Sequence, residues 1–245
     1  MDKAIREHCA EIDRCNQRGG RMLSIADLIE AETVSRDLAA YCLAAIGNGA
    51  SFMVGAVPGG AGKTTVMGAM LNLVPPDVKL AVADGMAGIE RGANSSSPRC
   101  CYICHEIGSG AYYSYLWGRE LRAYFDLPKA GHMLATNLHA DTYEQARGQM
   151  CEDNGVSEAS LRQMDLMLFL SVGPGNRRRI EEVWQSDGQN SHQRVFPAEP
   201  ATRAGLVAPG DIEQASRTID QIMAGGARTI EQVRAIVVQR RAGCV

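Results

Sequence analysis

Short apolar runs recur along the chain at 51–54, 78–83, 100–104, 133–136, 166–172 and 178–184. Runs of this length, set off mostly by Gly, Pro, Asn or Asp, read as strands. Between them the apolar residues fall at helical spacing. Val66, Met67, Met70 and Leu71 line one side of a helix that starts at Lys63 and is stopped by Pro75-Pro76. Further helices are predicted over 112–125, closed by Pro128, over 141–151, ended by Asn154-Gly155, and over 157–163. Ahead of the first strand, Ser24 with Asp27 is a capping pair for a short helix to about 31. A second helix carries Leu38, Cys42, Leu43 and Ile46 and ends at Gly47-Asn48-Gly49. Residues 85–99 and 188–209 read as loops, and two helices near 211–224 and 229–240 close the chain.

Alternating strands and helices imply a three-layer α/β sandwich with a largely parallel sheet. The turn Gly173-Pro174-Gly175-Asn176 adds a small antiparallel pair. The expected organisation is a polar N-terminal segment (1–21), a core (22–187), a loop (188–209) and a C-terminal helical appendage (210–245).

Composition narrows the function classes. The chain has 245 residues, 45% hydrophobic and 22% charged, with a net charge of -3. That balance gives no global basic footprint, so a nucleic-acid partner is not indicated. No apolar run approaches the roughly 20 residues of a membrane helix, and residues 1–21 hold no apolar signal stretch. A cytoplasmic location is the expectation. Cys101-Tyr102-Ile103-Cys104-His105 spells the CxxCH of haem attachment. It lies within an apolar run whose side chains alternate between faces, so no haem is expected there.

The strongest chemical signal follows the first strand: Pro58-Gly59-Gly60-Ala61-Gly62-Lys63-Thr64-Thr65. Glycines let backbone N–H groups close around a phosphate, and the following helix points its positive end at the same anion. Lys63 supplies charge for the β- and γ-phosphates and the Thr64 hydroxyl ligates Mg²⁺. The expected ligand is therefore ATP with Mg²⁺. Gly60, Gly62, Lys63 and Thr64 are in register with G-x-x-x-x-G-K-[ST], but Val57 stands where the first glycine belongs.

Phosphoryl transfer to water also needs a carboxylate near the metal and the attacking water. In parallel sheets such groups sit at the C-terminal ends of strands. Asp84 ends one apolar run, and Glu106 ends the run that passes through Ile103 and Cys104. His132 and His139 flank another strand and its exit, and both are expected to approach the same site.

The segment from Gly131 to Met150, with Gly-His, Thr136-x-x-His139-Ala140, Glu144 and Ala146, resembles the histidine box of the type II/type IV secretion ATPase superfamily. These are RecA-like P-loop motors that work as hexameric rings at the inner face of a membrane. Leu23 to Ile29 looks like the lead-in helix of that motor domain. Leu80 to Asp84 sits where the family has its aspartate box, and Glu106 where it has its Walker B glutamate. The strand at 167–172 with Arg177-Arg178-Arg179-Ile180 is similar to the late strand pair. The resemblance covers about residues 22–185 and implies ATP hydrolysis. Glu106 would position the attacking water, Asp84 would support the metal or base network, and His132 and His139 would sense the γ-phosphate. It also implies a homo-oligomer and a partner in a membrane platform or secretion system. The departures are an absent Arg-Asp pair after Glu106 and only about 20 polar residues ahead of the core, where these motors carry an N-terminal domain. Two alternatives stay open: a nucleotide-dependent regulatory module with little turnover, and a small-molecule kinase using Arg177, Arg178 and Arg179, or Arg119 and Arg122, as a lid cluster.

Overall fold

The computed structural model describes residues 2–16, 19–93, 98–110, 112–197 and 206–242, the side chains of 241 and 242 excepted. Its strands are β1 (Phe52–Gly55), β2 (Lys79–Val82), β3 (Cys100–Ile107), β4 (Tyr115–Leu116), β5 (Met133–Leu138), β6 (Leu166–Val172), β7 (Arg178–Ser186) and β8 (His192–Phe196). They form one sheet in the order β2-β3-β5-β1-β6-β7-β8, with β4 on the end of β3. Pairing is parallel from β2 to β6 and antiparallel from β6 through β8. The chain is thus a three-layer, RecA-like α/β sandwich, in which β1, the strand that leads into the glycine loop, lies between β5 and β6.

The helices are α1 (Lys3–Arg14), α2 (Ile25–Glu30), α3 (Arg36–Gly47), α4 (Lys63–Leu71), α5 (Gly85–Gly92), α6 (Gly118–Tyr124), α7 (Tyr143–Arg147), α8 (Glu158–Leu161), α9 (Pro209–Ala224) and α10 (Ile230–Ala242). Strand alternation sorts the apolar residues into two cores. Phe52, Val54, Cys101, Ile103 and Leu168 face α1 to α4, α9 and α10. Met53, Tyr102, Cys104, Leu134 and Met167 face α5 to α8. The two last helices therefore share a core with α3 and α4, and Arg234 donates from α10 to the carbonyls of Asn72 (3.0 Å), Val74 and Pro75.

Three sequence expectations change. Residues 85–92 form α5 rather than a loop. Three of its eight residues are glycine, which lowers helix propensity, and tertiary burial of Ile89 overrides that. Residues 94–97 of the expected loop lie outside the described residues. The helix expected over 112–125 is only α6, preceded by β4, because Ser114 (φ 55) and Gly118 (φ 58) take left-handed conformations that interrupt a helix. The expected loop 188–209 contains β8, so the small antiparallel pair is a three-strand end of the sheet. Residues 198–205 of that loop are also outside the described ones.

The polar N-terminal segment is anchored. Ile5, Cys9 and Ile12 of α1 are buried, and His8 Nε2 donates to the Leu71 carbonyl at the end of α4 (3.1 Å). Burial, helped by the nearby Arg234 charge, pushes the His8 imidazole down from 6.5 to about 3. Between those values the unfolded chain binds a proton that the folded chain does not. Stability is then full above pH 6.5 and is lost as the pH falls toward 3. By pH 5 the loss from this residue is about 2 kcal/mol. Urea unfolding at pH 7 and pH 5 measures it. His8→Gln, which keeps a donor for Leu71, is expected to flatten the slope, and an unchanged slope would remove His8 from the account.

Candidate active site

The glycine loop leaves β1 at Gly55 and ends where Gly62, the residue before α4, takes a left-handed conformation (φ 102), as does Gly60 (φ 84). The N–H groups of the first turn of α4 have no carbonyl one turn earlier to accept them. They open on a cleft of about 450 Å³ lined by Gly59 to Thr65, His105, Glu106, Tyr115 and His139. The opposite wall comes from the N-terminal segment, with Cys15, Asn16, Arg21 and Met22. Arg21 is held there by Asp27 (2.8 and 2.5 Å) and by the Arg228 carbonyl (3.1 Å). From the other side Arg178 donates to the Gly60 carbonyl at 3.2 Å.

Lys63 is buried; its Nζ donates to the Ala56 carbonyl (3.1 Å) and lies 3.8 Å from Glu106 Oε1. Thr64 is exposed to the cleft and Thr65 half-buried. Pro58 and Gly59 are exposed at the loop tip and Ala61 is buried beneath it. Glu106 is on β3, separated from β1 by β5, and the pairing of Leu138 with both Gly55 and Ile107 brings it level with the loop's start. Its side chain is buried and Oε1 accepts no hydrogen bond among the described residues. Burial pushes this carboxyl above its usual range, against the opposing pull of Lys63 and His139.

His139 follows β5, with Nε2 at 3.7 Å from Glu106 Oε2 and Nδ1 at 3.1 Å from the Val57 carbonyl. Lys63 Nζ lies 3.4 Å from the same Nδ1. One ring nitrogen cannot donate to a carbonyl and accept from an ammonium at once. The shorter contact assigns the proton to the Val57 bond.

The remaining expected residues are not gathered here. Asp84 is exposed at the start of α5 and does not line the cleft. Its charge acts on Tyr113, whose hydroxyl is raised by burial first and by Asp84 second, and the Tyr113 ring meets that of His105 edge-on at 5.3 Å. His132 is at the opposite end of β5 from His139. Seven steps along a strand cover about 23 Å, so the expectation that both approach one site is corrected. His132 Nδ1 accepts from the Cys100 N–H (3.0 Å) and Nε2 donates to the Gly92 carbonyl (2.7 Å), tying β3 to the end of α5.

Cys101 and Cys104 belong to different cores, on opposite faces of β3, so the pair cannot grip one metal or haem together. Among the described residues no group of three His, Cys, Asp or Glu could hold a metal ion. Mg²⁺ does not require one, since it keeps waters and takes ligands from phosphates and one or two side chains. Thr64, the left-handed glycines, Lys63 and a buried carboxylate oxygen lacking a donor together fit a phosphate–Mg²⁺ group. Sequence reasoning missed the N-terminal wall and Asn137, whose Nδ2 donates to the His105 carbonyl (2.8 Å) and steadies β3 next to Glu106. Neither carries a local signal, because both depend on tertiary contact. Among the described residues no helix is long and apolar enough to cross a membrane.

No family model and no curated protein matches the sequence. Among solved structures, the chain is similar to the VirB11 ATPase of the Brucella suis type IV secretion system, solved with sulphate, at 20% identity and a TM-score of 0.47, with 65% of this chain and 54% of that one covered. It is also similar to the Legionella pneumophila ATPase DotB at 16% identity and a TM-score of 0.39, with 80% of this chain and 62% of that one covered. The chain thus spans little more than half the length of these structures.

Proposed function

We propose that the chain binds ATP with Mg²⁺ in the cleft over the glycine loop and hydrolyses it. The observation that carries this is the convergence of Lys63, Glu106 and His139, each within 4.0 Å of another, at the N-terminus of α4. The loop and the first turn of α4 bind phosphate oxygens, and Lys63 adds charge to the same place. Thr64 holds Mg²⁺, which when bound neutralises phosphate charge. Glu106, buried and short of a donor, takes a proton from a water molecule and orients it. His139, half exposed and next to Glu106, senses the terminal phosphate. Asp84 acts, at most, through Tyr113 and His105. Phosphate release with ATP-Mg²⁺, compared with and without candidate phosphoryl acceptors, tests the reading. Release that needs an acceptor would favour a kinase, and binding without release would favour a regulatory module.

The resemblance extends the proposal to assembly, as a homo-oligomer serving a secretion-type system through a membrane-platform partner. Tyr112 (69% exposed), Tyr113 (54%) and Trp117 (37%) are exposed around the cleft-lining Tyr115, and Arg177, Arg178 and Arg179 are exposed, with Arg178 reaching the Gly60 carbonyl. Tyr, Trp and Arg are the residue types enriched in interfaces. A weak oligomer that tightens with nucleotide is expected, and light scattering with a non-hydrolysable ATP analogue at high protein concentration measures it. A strictly monomeric result would sink the motor reading and leave nucleotide binding standing.

A further inference from the structure

Val57 occupies the place where the phosphate-loop pattern has its first glycine, and both of its backbone polar groups are taken by one short segment. Its N–H donates to Asp141 Oδ1 at 2.7 Å, and its carbonyl accepts from His139 Nδ1 at 3.1 Å. The lacing continues into the strand. The Ala56 N–H donates to the Leu138 carbonyl (3.1 Å), and a Cβ on Gly55 would sit 2.6 Å from the Ala140 carbonyl oxygen. The segment is itself fixed from α7 and beyond: Gln145 Oε1 accepts from the Asp141 N–H (2.8 Å), and Gln149 Nε2 donates to the His139 carbonyl (2.6 Å).

A glycine in that position turns the loop by its own freedom. Val57 is not among the described residues with a positive φ, so the loop is placed here by these outside bonds and not by an unusual dihedral. Resting on the nucleotide site proposed above, we propose that Asp141 is a positioning residue. Its carboxylate, by holding the Val57 N–H, sets where the phosphate loop starts, and it makes the loop and His139 move as one body.

The test uses the full chain and two readouts. The first is amide hydrogen exchange over 56–62 without nucleotide. The second is the affinity for ADP-Mg²⁺ and ATP-Mg²⁺. Asp141→Ala is expected to speed exchange in that segment and to weaken both nucleotides by about tenfold. Both are hit because a misplaced loop spoils the cradle they share. Asp141→Asn keeps an oxygen acceptor for the Val57 N–H and is expected to stay close to wild type in both readouts. It also guards against loss of fold in the alanine variant. His139→Ala combined with Asp141→Ala is expected to cost less than the two separate losses added together, because both side chains hold the same residue, Val57. Unchanged exchange in Asp141→Ala, or faster exchange with unchanged affinities, overturns the positioning role alone. Wild-type protein that binds neither nucleotide overturns the nucleotide site and this role together.

Discussion

Glu106→Gln is expected to leave ATP-Mg²⁺ binding in place and to lower turnover by roughly 10²–10⁴, the range for loss of a general base. The amide keeps the size and one acceptor oxygen but cannot take a proton. The structure adds an expectation about stability. Burial pushes the Glu106 carboxyl upward despite Lys63 and His139. In the folded chain its charged form is thus less favourable than its neutral form, relative to the unfolded chain, and the charge costs stability above its ordinary range. Replacing it by a neutral isostere should leave the melting temperature at neutral pH equal to or above that of wild type. Phosphate release and a thermal melt on the same sample check both. Normal turnover would demote Glu106 to a structural residue. Lower turnover with a much lower melting temperature would mean that its attraction to Lys63 outweighs its burial.

Lys63→Ala is expected to cost about 2–4 kcal/mol of nucleotide affinity or transition-state stabilisation, because in the proposed site one buried ammonium serves two phosphates. Removing it also takes away the first-ranked attraction that opposes burial of Glu106. The Glu106 carboxyl should rise further, and any residual turnover should shift its acidic limb to higher pH. Titration with a fluorescent nucleotide and a pH profile of residual phosphate release measure the two effects. Wild-type affinity and rate in this variant would show that the phosphate loop has been misassigned.

What the sequence made legible was local. The glycine loop announces itself because a phosphate cradle needs particular residues at nearby positions, and Gly60, Gly62, Lys63 and Thr64 fall within one short stretch. Glu106 and His139 were legible as polar residues closing apolar runs. The layered fold followed from strand and helix spacing. Illegible were features decided across the chain. α5 has a glycine-rich sequence and is a helix because Ile89 is buried and Gly92 lies so close under Tyr102 that a Cβ there would fall 2.3 Å from its hydroxyl. His132 and His139 share a strand but occupy its two ends, and spacing along a sequence does not say which end faces a ligand. The residues of the N-terminal wall lie far from the loop in the chain and have no motif. They are brought to it by α1, anchored through His8 and Ile12.

The strand order carries a consequence for how the molecule comes into being. Synthesis makes β1 and β3 early, yet neither pairs with the other, since β5 lies between them and β6 covers the far edge of β1. A nascent chain released only through β3 therefore holds a glycine loop on a strand with two bare edges. Glu106 has no fixed distance to that loop until β5 slides into the gap. The nucleotide proposed above would assist maturation only late, after residue 138 has been released. Until β5 and β6 have both been made, the unpaired N–H and C=O groups along β1 are open to wrong partners, the exposure that makes folds with many non-local pairings slow and aggregation-prone.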